Sequence, residues 1–371
     1  MSTRYAVLAA VWLAATVVAC EHSAPFQPGD YTPHGPLSTG PVARLTYNAA
    51  NDRTPAWLPG TAGILYSVER LDRADGDYCL AVLPPGGGSI RRFICRTTAP
   101  DDSINALEDP AVAADGRLVY VRASAPLTFG RPLAPYTQEL VLATLADPTI
   151  VRVLQSIGYV APSGRVHQAI SHIQWLGSSQ LIYLGEAVDY PRLCGGCPAD
   201  TVRTGREIVT LDFAGPAPVL ASVPGTDSAS SLAMGATNDT VYFTRNGDSR
   251  LYRYAFSSGQ IDTVHDFFPS LNARDVQVRG SRVYAVVDGN APLGGDLHVL
   301  DLVTGVDNPV PSPDPSTDLW YQRLALSPDG TRLVAQGHVV EIIVHTDDAG
   351  NVLFADTIAT RSSDIWLYTI P

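Results

Sequence analysis

Positive charge is scarce in this chain. Its 371 residues carry 25 Lys+Arg against 37 Asp+Glu, a formal net charge of −12. A nucleic-acid surface needs clustered cations to displace phosphate counterions, and no such cluster occurs, so a nucleic-acid partner is excluded. Long apolar runs are missing beyond the N-terminal stretch. No later segment approaches the roughly 20 apolar residues of a membrane-spanning helix. Catalytic signatures are missing too: there is no Gly-x-Ser-x-Gly elbow, no phosphate-cradling glycine loop and no dinucleotide fingerprint. No catalytic residue is therefore assigned. What is plentiful is turn chemistry, with Gly 31 and Pro 29, as a chain of many short strands requires.

The N-terminus reads as a targeting segment. Arg4 precedes an apolar stretch from Tyr5 to Ala19, too short to span a bilayer, which makes residues 1–19 a signal peptide. The stretch ends in Val17-Val18-Ala19-Cys20, which resembles the lipobox of bacterial lipoproteins. The resemblance implies cleavage before Cys20 and acylation of its thiol and of the new N-terminus. Several acyl chains anchor firmly, at about 0.8 kcal/mol per buried CH₂. The other reading of the same residues is an ordinary secretory signal with a coincidental cysteine. Glu21 follows the cysteine where an Asp would resemble an inner-membrane retention signal, so the expected location is the outer membrane, facing the periplasm or the surface. Residues 20–41 are rich in Pro, Gly and Ser and read as an extended linker.

The remainder, 42–371, repeats. The clearest unit is Leu324-Ala325-Leu326-Ser327-Pro328-Asp329-Gly330-Thr331-Arg332-Leu333-Val334, a β-run, a tight turn and a second β-run. Similar hairpins start at residues 55, 110, 173, 232, 276 and 324. A third alternating segment follows each one: Tyr78–Leu83, Glu139–Leu145, Glu207–Phe213, Arg250–Phe256, Asp296–Leu302 and Asp364–Ile370. The first five add a fourth segment: Arg91–Cys95, Ile150–Leu154, Pro218–Val223, Gln260–His265 and Val306–Pro311. Four short strands per repeat of about 45 residues or more describe a propeller blade. The expected fold is all-β, a six-bladed propeller with four-stranded blades.

The Pro-aliphatic-aromatic, Ser-Pro-Asp-Gly, aliphatic-Tyr pattern resembles the propeller repeats of TolB-type periplasmic proteins. The full turn occurs only at Ser327–Gly330, and the middle repeats are degenerate. The resemblance implies a protein or peptide partner. The last repeat lacks a fourth strand, and Val42-Ala43-Arg44-Leu45-Thr46-Tyr47 lies unassigned upstream of the first. Pairing it with Asp364–Ile370 closes the ring and removes an open sheet edge.

Cysteines number five. Cys79 and Cys95 lie equidistant from the Gly86-Gly87-Gly88 turn, which sets them opposite each other on a hairpin. In an oxidising compartment this predicts a cross-strand disulfide. Cys194-Gly195-Gly196-Cys197 sits in a long loop between Pro191 and Pro198. It admits three readings: a structural disulfide, redox chemistry, or half of a metal site.

The long connections, Val68–Asp77, Arg122–Gln138, Gly185–Arg206, Asp288–Gly295 and Gly337–Ser363, all join second to third strands. In a propeller they fall on one face, and loops on a rigid scaffold carry specificity. The residue just before each inner-strand anchor is expected to ring the channel mouth on that face: Thr54, Asp109, His172, Ser231, Asp275 and Arg323. Asp109, His172, Asp275 and Arg323 are the candidate ligand-binding residues, for a metal, an anion or a peptide terminus. Glu108, His167 and Arg274 form a second polar set. The cofactor is unknown; a divalent metal in the channel is one possibility, although His172, His265, His298, His338 and His345 show no metal-ligand spacing and no metal residue is assigned. The leading expectation is a monomeric, lipid-tethered scaffold that binds a protein or peptide. The alternative is a metal-dependent carbohydrate-active lyase or hydrolase at the channel mouth.

Overall fold

The structure is a computed structural model. It describes residues 42–47, 50–70, 77–95, 103–128, 131–132, 137–157, 165–189, 202–267, 271–288, 294–311, 318–346, 352–359 and 362–370. Cys20, the signal and linker segments, and Cys194 and Cys197 lie outside these residues. The described chain is all-β, and its single helical element is the 3-10 turn Pro59–Thr61.

Six inner strands, Asp52–Trp57, Ser103–Val112, Arg165–Trp175, Ala229–Met234, Asn272–Arg279 and Asp318–Leu326, follow one another around a central channel. Each packs on the next, and the last packs back on the first. Antiparallel partners then step outward. Second strands are the most buried: every residue of Ile64–Glu69 is buried. Outer strands are the least, and Val219–Ser222 is exposed throughout. That gradient is what stacked blades produce, because each blade buries both faces against its neighbours except at its outer edge. The core accordingly lies between blades. One cluster joins Val119 and Leu140 of the second repeat to Ile170, Tyr183 and Val209 of the third. Another joins Trp57 and Ile64 of the first repeat to Val334 and Ile365 of the last.

Hydrogen bonding sorts the strands into five sheets, four of them blades, so the expected count of six blades is corrected to four. Three sheets are free-standing four-stranded blades, and a fourth is the seam sheet that joins the chain's two ends. The fifth has nine strands. It holds two antiparallel meanders, 52–94 and 103–157, joined by one parallel pair, Tyr78↔Ala106. The cause is local. The inner strand Ser103–Val112 begins well upstream of its expected anchor at Pro110 and runs beside Tyr78, where the Asn105 N–H donates to the Asp77 carboxylate.

The seam forms as the orphan strand suggested. Val42–Arg44 pairs antiparallel with Asp364–Thr369, in register Val42↔Tyr368 and Arg44↔Trp366, and the Leu45 N–H extends the ladder to Ile365 O. Val42, Ala43, Leu45 and Thr46 are all buried. Arg44 Nη2 donates to Asp364 at 2.5 Å. Burial pushes the Asp364 carboxyl up to about 6, against the opposing pull of Arg44 and Thr46. The Cys79–Cys95 disulfide is present, with Cα atoms 4.6 Å apart, and ties the third strand of the first repeat to the outer strand.

The Ser-Pro-Asp-Gly turn owes its shape to Asp329. Its Oδ1 accepts from Ser327 Oγ at 2.6 Å and from the Thr331 N–H at 3.0 Å, which holds the carboxyl down at about 2. Gly330 adopts φ 73, and a Cβ there would meet the Arg279 side chain at 2.6 Å. The expected long loops are partly strand. Arg117–Thr128 and Arg332–Thr346 overrun the blade body, and Val352–Ala359 adds a fifth strand beside Arg332–Thr346. These excursions were expected as irregular loops because each interrupts the repeat pattern, but paired strands satisfy backbone groups that a bare loop leaves to water.

Candidate functional site

Every inner strand is bulged where the ring residues sit. In the first three repeats one extra residue is inserted between Arg53 and Ala56, Glu108 and Ala111, and Ser171 and Gln174. Thr54, Asp109 and His172 occupy these bulges with φ of 46, 48 and 55. The left-handed region is unfavourable for side chains with a Cβ, most of all for a β-branched threonine. In the last three repeats the register slips one step earlier, just before Ser231, Asp275 and Arg323. A bulge re-aims a side chain, and here the bulges turn residues of different repeats toward one another. Strain of this kind costs about 1–3 kcal/mol per residue and persists only where neighbours over-determine it.

Those neighbours are the ring residues themselves. The Asp109 N–H donates to Thr54 Oγ1 at 3.2 Å, and the His172 N–H donates to Asp109 Oδ1 at 3.3 Å. The Arg323 guanidinium donates to the same Asp109 carboxylate and lies against the His172 imidazole, 2.8 Å from Nε2. On its far side His172 Nε2 faces Asp275 Oδ1 at 3.4 Å. Asp275 in turn accepts from the N–H of Val276 at 3.0 Å and of Leu324 at 2.7 Å. Ser171 Oγ lies 3.1 Å from Nδ1, and the Arg323 guanidinium lies against both ring nitrogens. Burial, and then the Arg323 charge, hold the imidazole below the ordinary histidine range. Arg323 and Asp109 form a salt bridge beside it.

The structure thus brings together Thr54, Asp109, His172, Asp275 and Arg323. Ser231 does not join them; it is buried and bonds Thr244 Oγ1 at 2.7 Å within its own blade. Of the second polar set, Glu108 lies 3.9 Å from Arg53, its carboxyl pushed up by burial and then by Asp109. Arg274 pairs instead with Asp288. The side chain of His167 lies outside the described residues, as does that of His345. His265 packs on Phe267 and His298 contacts Asp307 at 3.1 Å, both near the outer strands. Among the described residues no group of three His, Cys, Asp or Glu converges as a metal site.

The ring residues are expected at the channel mouth on the loop-rich face; the cavity that they line extends from them toward the hairpin turns. A cavity of about 280 Å³ is lined by the ring residues and by residues that follow them toward the hairpin turns, among them Trp57, Trp175, Gln277 and Pro328. The inner strands run from the loop-rich rim to the turn face, so residues after the ring can only lie on the turn side. The walls are fixed by side chains that bond a neighbouring inner strand. Trp57 Nε1 donates to Ala325 O at 3.0 Å, Trp175 Nε1 to Ala111 O at 3.2 Å, and Gln277 Nε2 to Leu324 O at 3.1 Å. The sequence offered a signal for the bulges in Thr54-Pro55 and Asp109-Pro110, since a proline inside a strand cannot donate to the ladder. It offered no comparable signal for the indole bonds.

On the rim a second concavity of about 300 Å³ lies between the third and fourth repeats, lined by Glu186, Gly205, Arg206, Ser228 and Asn246.

No protein-family model matches the chain, and no curated protein matches it. Among solved structures it is similar to a gluconolactonase from Xanthomonas campestris, at 14% identity and a TM-score of 0.53, covering 91% of this chain and 91% of that one. It is similar to a luciferin-regenerating enzyme, at 12% identity and a TM-score of 0.52, covering 90% of this chain and 95% of that one. TolB from Acinetobacter baumannii is also a neighbour, at 13% identity and a TM-score of 0.49, covering 82% of this chain and 66% of that one. At these identities the likeness is one of fold, and the fold it shows is the β-propeller.

Proposed function

We propose that this chain is a membrane-tethered, extracytoplasmic propeller that acts as a scaffold, holding a protein or peptide partner on its loop-rich face. The observation that carries this reading is the one-sided projection of strand pairs from the rim. In the third repeat the second and third strands pair from Gln180↔Asp212 out to Asp189↔Val202, whereas the outer strand covers only Val209 to Asp212. The last repeat sends out a further hairpin, Val340↔Ala359 to Thr346↔Val352. Such ribbons present backbone and side-chain groups on a rigid base, as peptide-recognition surfaces do. The rim concavity, with Glu186, Arg206 and Asn246, supplies mixed charge and hydrogen bonding of the kind found at interface rims.

The tether fits this orientation. Val42 pairs with Tyr368, at the turn-face end of the seam, so a linker from an acylated Cys20 reaches the body on the side opposite the rim. The rim then faces away from the membrane. The second reading, a metal-dependent carbohydrate-active enzyme, would draw on Asp109, His172 and Asp275, which line one cavity without forming a metal-ligating group. Against it stands Arg323, whose guanidinium occupies the space between them. Elemental analysis of purified protein separates the two, since stoichiometric Mn, Zn or Ca lost in His172→Ala supports the enzyme.

The scaffold reading is tested by trimming residues 341–358 to a short Gly-Ser turn. Arg332–Gly337 remains paired with Asp364–Thr369, so the melting temperature should move by no more than about 2 °C. The trimmed protein is expected to lose the cross-linked partner that the full-length protein forms in intact envelopes. Retention of the same adduct at the same yield contradicts the reading.

A further inference from the structure

The turn-face cavity is a second site, separate from the rim and independent of the scaffold reading. Its floor carries donors and acceptors side by side: Thr54 Oγ1, the Asp109 carboxylate, the Arg323 guanidinium and the His172 imidazole. Its charged groups are engaged, with one carboxylate in excess of the one cation. Arg323 donates directly to Asp109, and Asp275 lies behind His172 with two backbone N–H groups on it. A charged ligand would have to displace the Arg323–Asp109 pairing or the N–H groups on Asp275, and would give up its own hydration for little return. A neutral hydroxyl both donates and accepts, so it bonds to carboxylate and guanidinium at once without separating them.

The walls point the same way. Trp57 and Trp175 contribute apolar surface on different sides of the cavity. Each indole is immobilised by its Nε1 bond to the neighbouring strand and by an arginine over its ring, Arg332 at 4.9 Å and Arg117 at 4.7 Å. A rigid, partly apolar wall over a polar floor suits a molecule with one C–H face and one hydroxyl-bearing edge. The volume, about 280 Å³, admits one ring of six or seven heavy atoms with its substituents and little more.

The geometry points to a binding site for a neutral polyol, a single sugar residue or the end of a sugar chain, entering from the turn face and resting on the Asp109–Arg323 pair. No bond is made or broken; the site binds.

Calorimetric titration of the full-length protein with D-glucose, D-galactose and N-acetyl-D-glucosamine tests this, with acetate and methylammonium as charged probes. At least one sugar is expected to saturate a single site with a Kd of about 1 mM or tighter, while neither charged probe saturates in that range. Pro328 is exposed at the cavity entrance, so Pro328→Trp should block entry and weaken the sugar at least about tenfold. Leu326→Trp replaces it if the melting temperature falls. The proposal is overturned if no sugar saturates by about 10 mM, if a charged probe binds more tightly than every sugar, or if both blocking variants leave the affinity unchanged. Rim cross-linking should be indifferent to Pro328→Trp, so failure here and failure of the scaffold reading are separate results.

Discussion

Removing the seam strand should destabilise the whole ring. A chain beginning at residue 48 lacks Val42, Ala43, Leu45 and Thr46, which are exposed by only 2%, 7%, 1% and 0%. Full burial of one Val and one Leu side chain is worth about 1.5–3 kcal/mol each, with a smaller addition from Ala. The loss is compounded on the other strand. Ile365 is fully buried against this segment, and Asp364 loses both Arg44 and Thr46 as partners. A total of about 5 kcal/mol is therefore expected, a large share of the about 5–15 kcal/mol that holds a domain together. With an unfolding entropy near 2.1 cal/mol/K per residue over roughly 320 residues, that lowers the melting temperature by about 7 °C. The comparison is calorimetric, between residues 39–371 and 48–371. The longer chain retains the seam and lacks only residues 1–38, so it is the proper reference. If 48–371 melts no earlier than 39–371, the seam strand is an appendage and the closure argument fails.

Three further outcomes follow from the same structure. Asp364 is raised from 3.8 to about 6, so its ionisation opposes folding. At about 1.4 kcal/mol per pH unit the penalty is about 3 kcal/mol, full above pH 6 and gone below about 3.8. Stability should therefore gain from this group as pH falls from 7 toward 4, and denaturant titrations of Asp364→Asn should lose that gain; an unchanged profile refutes the assignment. Arg323→Gln removes the charge that helps hold the His172 imidazole down, so an NMR titration should place that imidazole higher than in the parent, and no upward movement would show that Arg323 does not press on it. Reduction of Cys79–Cys95, which closes a loop of sequence separation 16, should cost about 3 kcal/mol; the Cys79→Ala/Cys95→Ala variant should melt correspondingly lower under oxidising conditions, and equal melting would mean the bridge constrains nothing.

Much of this architecture is legible in the chain because propeller blades are local objects. Each repeat writes its strands, its tight turn and its alternation within a few dozen residues, and Ser327–Gly330 states its turn through the side chains of Ser327 and Asp329. The seam was legible for a different reason, since a missing fourth strand and an orphan strand imply each other. The Cys79–Cys95 pair followed from symmetry about a turn. Of the six positions that the repeat spacing singles out, the structure brings five near one another, while Ser231 bonds Thr244 in its own blade. The fusion of the first two repeats was not legible. It depends on Ala106 running beside Tyr78, a contact between repeats that no periodicity records. The indole bonds that fix the cavity walls were also hidden, because they join strands more than 60 residues apart in sequence, Trp175 to Ala111 among them.

The central proposal, that the strand-built rim is the working face, is tested most directly by placing a photo-activated cross-linking residue at single positions of the full-length protein in intact cells. Arg206 is exposed on the rim, while Val303 is 80% exposed on an outer turn. A discrete, saturable adduct from position 206 and none from position 303 is the predicted result. Equal labelling from both positions, or an adduct from 303 alone, contradicts it.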